Sequence, residues 1–173
     1  GYAYLIDIDL TSMKNQSTAT YGLRVTGKKD VGGGYGLGYE AEYAHQNDYA
    51  DNPANLSLDY WHGDLWITRS GFTVLAGVES LEGNGSLGFS TPLATLHKFQ
   101  GYADVFLTTP GNGIVDVYGK LAYEKKLDEP FGPITSVTAA AWYHGYDTER
   151  TDQSLGQEFN FEAVAKLGDG EVG

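Results

Sequence analysis

Apolar and polar residues alternate along eight separate stretches of this chain, and that alternation constrains the fold more than any other feature. The first stretch is Tyr2–Leu10, where Tyr2, Tyr4, Ile6, Ile8 and Leu10 alternate with residues that include Asp7 and Asp9. In Thr18–Lys28, Ala19, Tyr21, Leu23 and Val25 oppose Thr20, Gly22, Arg24 and Thr26. In Tyr35–Gln46, Leu37, Tyr39, Ala41 and Tyr43 oppose Gly36, Gly38, Glu40 and Glu42. Leu56–Thr68 is less regular, and its aromatic residues change parity between Tyr60 and Trp61, which predicts a bulge. Phe72–Leu81, Ile114–Lys125, Ile134–Tyr146 and Phe159–Leu167 complete the set. A period of two puts successive side chains on opposite faces of a strand, so each stretch reads as a strand with one apolar and one polar face.

The connections alternate as well. Short ones (VGGG, Arg69-Ser70-Gly71, LDEPFGP) follow strands two, four and six; longer ones (TSMKNQS, NDYADNPAN, a 29-residue insert, DTERTDQSLGQ) follow the others. In an up-and-down arrangement all short turns then lie at one end and all long loops at the other. Outer-membrane barrels are built this way, with short periplasmic turns and longer extracellular loops.

Composition narrows the function classes. The chain has 173 residues, suited to a single domain over 1–173, and a net charge of −12 from 11 basic and 23 acidic residues. Such a charge disfavours nucleic acid as a partner. With no cysteine, disulfides and thiolate chemistry are excluded. Motifs of hydrolases and metalloproteases (G-x-S-x-G, H-E-x-x-H) do not occur, and the histidines at 45, 62, 97 and 144 are not paired at metal-ligand spacing. No enzyme activity, cofactor or metal is expected. Asn47, Asp48, Asp51 and Asn52 read as a solvated acidic loop rather than a calcium site, because they lack EF-hand spacing. The run Gly83–Gly88 matches G-x-G-x-x-G, but Phe89-Ser90-Thr91-Pro92 follows where a dinucleotide site needs a helix, so these glycines read as loop geometry.

Periodicity alone does not say which face is inside. Long strands whose polar face carries charges of both signs, with tyrosines near strand ends (Tyr2, Tyr35, Tyr43, Tyr143), favour an antiparallel up-and-down transmembrane β-barrel with the apolar face toward lipid. It has eight strands in this chain, alone or as part of a larger barrel. Its wall would be lined by Arg24, Glu40, Glu42, Asp116, Lys120, Glu124, Glu162 and Lys166. The alternative is a soluble lipocalin-like barrel, with positions such as Leu23, Leu37 and Val117 inward. A membrane barrel with a plugged lumen is a third reading.

The insert between strands five and six, residues 85–113, exceeds the about 12–15 residues beyond which connections are uncommon in compact domains. Thr91-Pro92 reads as the start of a short helix, and Tyr102–Leu107 as a second short element. The insert is either a lid over the mouth or a constriction folded into the lumen, with His97, Lys98 and Asp104 on the pathway.

The run TPLATLHKFQGYADVFLTTP at 91–110, followed by a strand over Gly113–Tyr123, resembles a signature stretch of the alginate-export-like outer-membrane porin family. Looser similarity runs through Tyr2–Asp7, Ala19–Arg24, Tyr35–Tyr49, Ala140–Arg150 and Glu158–Lys166. The resemblance implies a Gram-negative outer-membrane channel for passive passage or export of small solutes or polysaccharide, in contact with outer-membrane lipid. It also implies that the chain corresponds to the C-terminal part of longer proteins. A polyanion such as alginate calls for a cationic path, whereas this chain carries twice as many acids as bases, so the expectation is a porin-like channel with alginate as one candidate solute.

Overall fold

Eight antiparallel strands follow one another in sequence order and pair each with the next, forming one up-and-down sheet. The computed structural model describes residues 1–92, 100–131 and 133–168, those at 128–131 by their backbone. The strands are β1 (Tyr2–Ile6), β2 (Thr18–Gly32), β3 (Tyr35–Asp48), β4 (Ser57–Arg69), β5 (Phe72–Leu81), β6 (Ile114–Phe131), β7 (Ile134–Asp147) and β8 (Ser154–Leu167). The all-β, eight-stranded expectation therefore holds. Among the described residues no ladder joins β8 back to β1, so the sheet is not closed.

The two ends of the sheet differ as the sequence predicts. At one end Ser70 and Gly71 both take positive φ (49° and 86°) between paired Arg69 and Phe72. This is the two-residue turn whose twist matches a hairpin, and Gly71 supplies the second left-handed position at no steric cost. At the other end lie the long connections. A 3-10 helix, Thr11–Gln16, occupies the first of them. Asn52 staples it to the β3–β4 loop by donating to Ser17 O (2.6 Å) and Asn15 O (3.2 Å), and Lys14 pairs with Asp51 at 3.0 Å. The Asp51 carboxylate holds the Lys14 ammonium above its usual range. Asp48 accepts from the Leu56 amide. The acidic loop at 47–52 thus spends its side chains on joining loops.

Besides longer strands (β2 runs to Gly32, β6 to Phe131 through most of the expected LDEPFGP connection, and β8 starts at Ser154), four details depart from the sequence reading. First, β1 stops at Ile6 rather than Leu10, because the Ile8 amide donates to the Ser17 hydroxyl (2.9 Å) instead of extending the ladder. Second, β4 has no bulge at Tyr60–Trp61; its register to β3 and β5 is continuous there. The aromatic parity changes because one ring is inside and the next outside: Tyr60 is 8% exposed and Trp61 57%. Third, Tyr2 pairs opposite Gly22 on the polar side and donates to Glu42, so it is not an outward girdle residue; Gly22 leaves room for its ring. Fourth, Tyr102–Leu107 forms turns and bends without a regular element. Thr91 and Pro92 lie at the edge of a stretch (93–99) outside the described residues, and the helix expected there lies in it.

The sheet turns its apolar face outward and its polar face inward. On the outward side Leu23, Leu37, Leu65, Val117, Leu121, Phe159 and Phe161 are exposed by 46–84%. That is the orientation opposite to the one a lipocalin-like barrel requires of Leu23, Leu37 and Val117. Cross-strand aromatic pairs frame this surface: Tyr43–Trp61 (4.3 Å) and Tyr143–Phe159 (4.9 Å) toward the loop end, Phe72–Tyr123 (4.5 Å) toward the turn end. On the inward side polar residues alternate with the small core cluster of Ala44, Leu56, Leu58, Tyr60, Leu81, Phe89, Ile114 and Tyr146, which gathers at the loop end.

Candidate functional site: the inner wall and the insert that crosses it

All eight wall residues singled out from the sequence lie at inward positions of their strands, and most are paired. Arg24 Nη2 sits 2.6 Å from Glu40 Oε2, with Glu42 at 3.9 Å from its Nε. Across β2 and β3 this puts one cation between two carboxylates in register, Arg24 opposite Glu42. His62 Nδ1 lies 3.6 Å from Glu40. Glu40, Glu42 and His62 therefore offer three ligand atoms within 4.8 Å of one another. Arg24 already neutralises part of that charge.

Farther around the wall, Asp116 is 1% exposed and binds His144 Nδ1 at 2.8 Å. Lys120 stands over the Trp142 ring at 4.3 Å from its centre, a cation–π contact. Lys166 reaches Glu124 at 3.4 Å. Glu162 accepts from Tyr102 of the insert; desolvation, then the Glu162 carboxylate, raises that phenol above its ordinary value.

Several partners were not legible as site residues. Tyr118 donates to Asp64 Oδ1 at 2.6 Å and lies 2.9 Å from His62 Nε2. Asp64, Gly77 and Tyr118 are in register across β4, β5 and β6, and the missing side chain at Gly77 lets the Tyr118 ring span β5. Tyr60 donates to Glu79, which is 4% exposed. The available signal was parity: Tyr60, His62 and Asp64 share one face of β4, which the expected bulge obscured.

The insert folds onto this inner face rather than away from it. Gln46 on β3 binds Ser90 in both directions, Nε2 to Ser90 O (2.9 Å) and Oε1 from Ser90 N (2.8 Å), imitating a strand pairing with a side chain. Phe89 packs on Tyr60 at 5.6 Å. The chain then reaches the far side, where Tyr146 donates to Gln100 O (2.9 Å), the Gln100 amide binds Glu79, and the Ala103 amide donates to Glu158 at 2.9 Å. Phe106 packs against Tyr146 with the rings tilted, centres 4.9 Å apart. The insert thus bridges β3–β4 to β7–β8.

Its two ends meet in a neck. Gly83 and Gly88 form a bridge, and a Cβ on Gly83 would overlap the backbone of Gly111–Gly113. The G-x-G-x-x-G run serves this close backbone approach, as loop geometry. Of the three insert residues expected on the pathway, Asp104 is half-buried at positive φ (52°) beside Ala103. His97 and Lys98 lie outside the described residues.

No protein-family model, curated protein or solved structure matches this chain.

Proposed function

We propose that this chain forms, together with further strands, the wall of an outer-membrane β-barrel of porin type that passes small solutes, with the 85–113 insert narrowing its lumen. The observation that carries the reading is the inverted distribution of side chains. Exposed apolar residues cover the outer face, while charged and hydrogen-bonded residues line the inner one. In water such an outer face would be a large aggregation-prone patch; against lipid it is the required surface.

The dimensions fit. From Tyr35 to Tyr43 along β3 is about 27 Å at about 3.4 Å per residue, or roughly 20 Å of height at a tilt near 40°, the scale of a barrel's ~25 Å apolar band. Basic residues on the outer face, Lys29, Arg69 and Lys125, gather toward the turn end, opposite Leu37, Tyr35 and Val137. The edges of β1 and β8 also bear on the reading, because lipid cannot satisfy free backbone groups. In the membrane these edges pair, with each other or with further strands. Eight strands closed on themselves leave room only for side chains, so conductance from the folded chain reports strands added at these edges, by further copies of it.

Solutes in general, rather than polysaccharide in particular, are the substrate class. The inner wall mixes Arg24, Lys120 and Lys166 with a larger number of carboxylates and so offers no cationic track for a polyanion.

The test is to fold the full chain in detergent, confirm heat-modifiable gel migration, and record from planar bilayers. Conductance steps that change in size when Pro92–Phe106 is deleted support both channel and constriction. A monomer that stays soluble without detergent overturns the membrane reading, and unchanged steps after the deletion overturn the constriction.

A further inference from the structure

Beside β1 and under the start of the insert, the inner face leaves a cleft of about 230 Å³. Three of its walls are aromatic: Tyr2 and Tyr4 from β1, Tyr60 from β4, and Phe89 from the insert. Tyr2 and Tyr4 stand side by side, ring centres 5.1 Å apart. The remaining surface includes the carboxylates of Glu42 and Glu79.

Glu79 sets the chemistry. It is 4% exposed, and its oxygens accept from the Tyr60 hydroxyl and the Gln100 amide. Both donors are neutral. Among the described residues no Lys or Arg side chain forms an ion pair with it. The basic group that acts on it among the described residues is His62, its cross-strand neighbour on β4, an imidazole that carries charge only when protonated. A buried carboxylate without a permanent counter-charge is costly. Glu42 adds a second carboxylate, which accepts from Tyr2 and has Arg24 at 3.9 Å. Aromatic rings present negative faces, so the walls and the carboxylates favour the same sign of guest.

We propose that this cleft binds a small organic cation, an alkylammonium group, with Glu79 as its counter-ion and the tyrosine rings as its cage. The volume is several times the ~30 Å³ share of one water, room for a head group of a few heavy atoms. An anion is excluded by both carboxylates. A neutral molecule of the same shape gains the apolar contact but adds no permanent counter-charge for Glu79. The inference stands on this cleft and needs no conduction through the barrel.

The probe is choline, measured by equilibrium dialysis against the full chain folded in a maltoside detergent, which carries no ammonium group. Its uncharged carbon isostere, dimethylbutanol, controls for shape. Choline is expected to bind saturably and about tenfold or more tighter than the isostere, as one charge-assisted contact allows. E79Q should erase most of that preference, whereas D152N in the β7–β8 loop, an equal change in net charge, should leave it intact. Equal binding of the two probes, no saturable choline binding, or an unaltered preference in folded E79Q would overturn the proposal. If E79Q does not fold, the comparison of the two probes on the unmodified chain decides alone. A protein that conducts but ignores choline overturns only the cation site; one that binds choline without conducting overturns only the channel.

Discussion

Tyr118 on β6 donates a 2.6 Å hydrogen bond to Asp64 on β4, two strands away, over the bare backbone of Gly77. The same hydroxyl lies 2.9 Å from His62. One phenol therefore ties two strands that are not neighbours. Removing it in Y118F leaves the Asp64 carboxylate and the His62 ring short of a partner inside the wall. A lost hydrogen bond to a charged group should cost about 1.5–3 kcal/mol. Urea unfolding of the chain folded in detergent measures it. G77A should cost a similar amount or more, since its Cβ would overlap both the Tyr118 ring and the Asp64 carboxylate.

Leu65 separates the membrane reading from a soluble one. It is 64% exposed on the outer face, opposite Tyr39 and Ala76. At an exposed site in water, L65R should fall within about ±0.5 kcal/mol of the parent. At mid-height of a lipid-facing band it should destabilise by about 2–4 kcal/mol. Folding equilibria in lipid vesicles distinguish the two outcomes.

Gln46 is the latch between β3 and the insert. Q46L keeps the volume and removes both hydrogen bonds to Ser90 as well as the bond to Thr20. Proteolysis within 85–113 should speed up by roughly tenfold, as expected from losing about 1–2 kcal/mol of local closure, while the strands stay protected. An unchanged cleavage rate would mean that the insert is held elsewhere.

Gly83 tests the neck. Any side chain there meets the backbone of Gly111–Gly113, which cannot rotate aside. G83A should therefore release the insert from the wall, raising its protease sensitivity at least as much as Q46L does. G34A provides the contrast at the turn end. Its positive φ (76°) also strains a Cβ, by roughly 1 kcal/mol, but the position is open and far from the insert.

The sequence by itself determined the strands, their order, the separation of short turns from long loops, and which residues share a face. Each follows from local rules: a period of two fixes facing within a strand, and glycine-rich turns fix where it reverses. Arg24, Glu40, Glu42, Asp116, Lys120, Glu124, Glu162 and Lys166 could be read as one wall for that reason. What only the tertiary structure decided is which face turns inward, where the insert goes, and which wall residues meet. The contact of Tyr118 with Asp64 depends on register across three strands and on an empty position at Gly77. The path of the insert depends on Gln46, Tyr146 and Glu158 lying within reach of one backbone. Neither leaves a periodic trace, because partners distant in sequence are brought together only when the sheet curves.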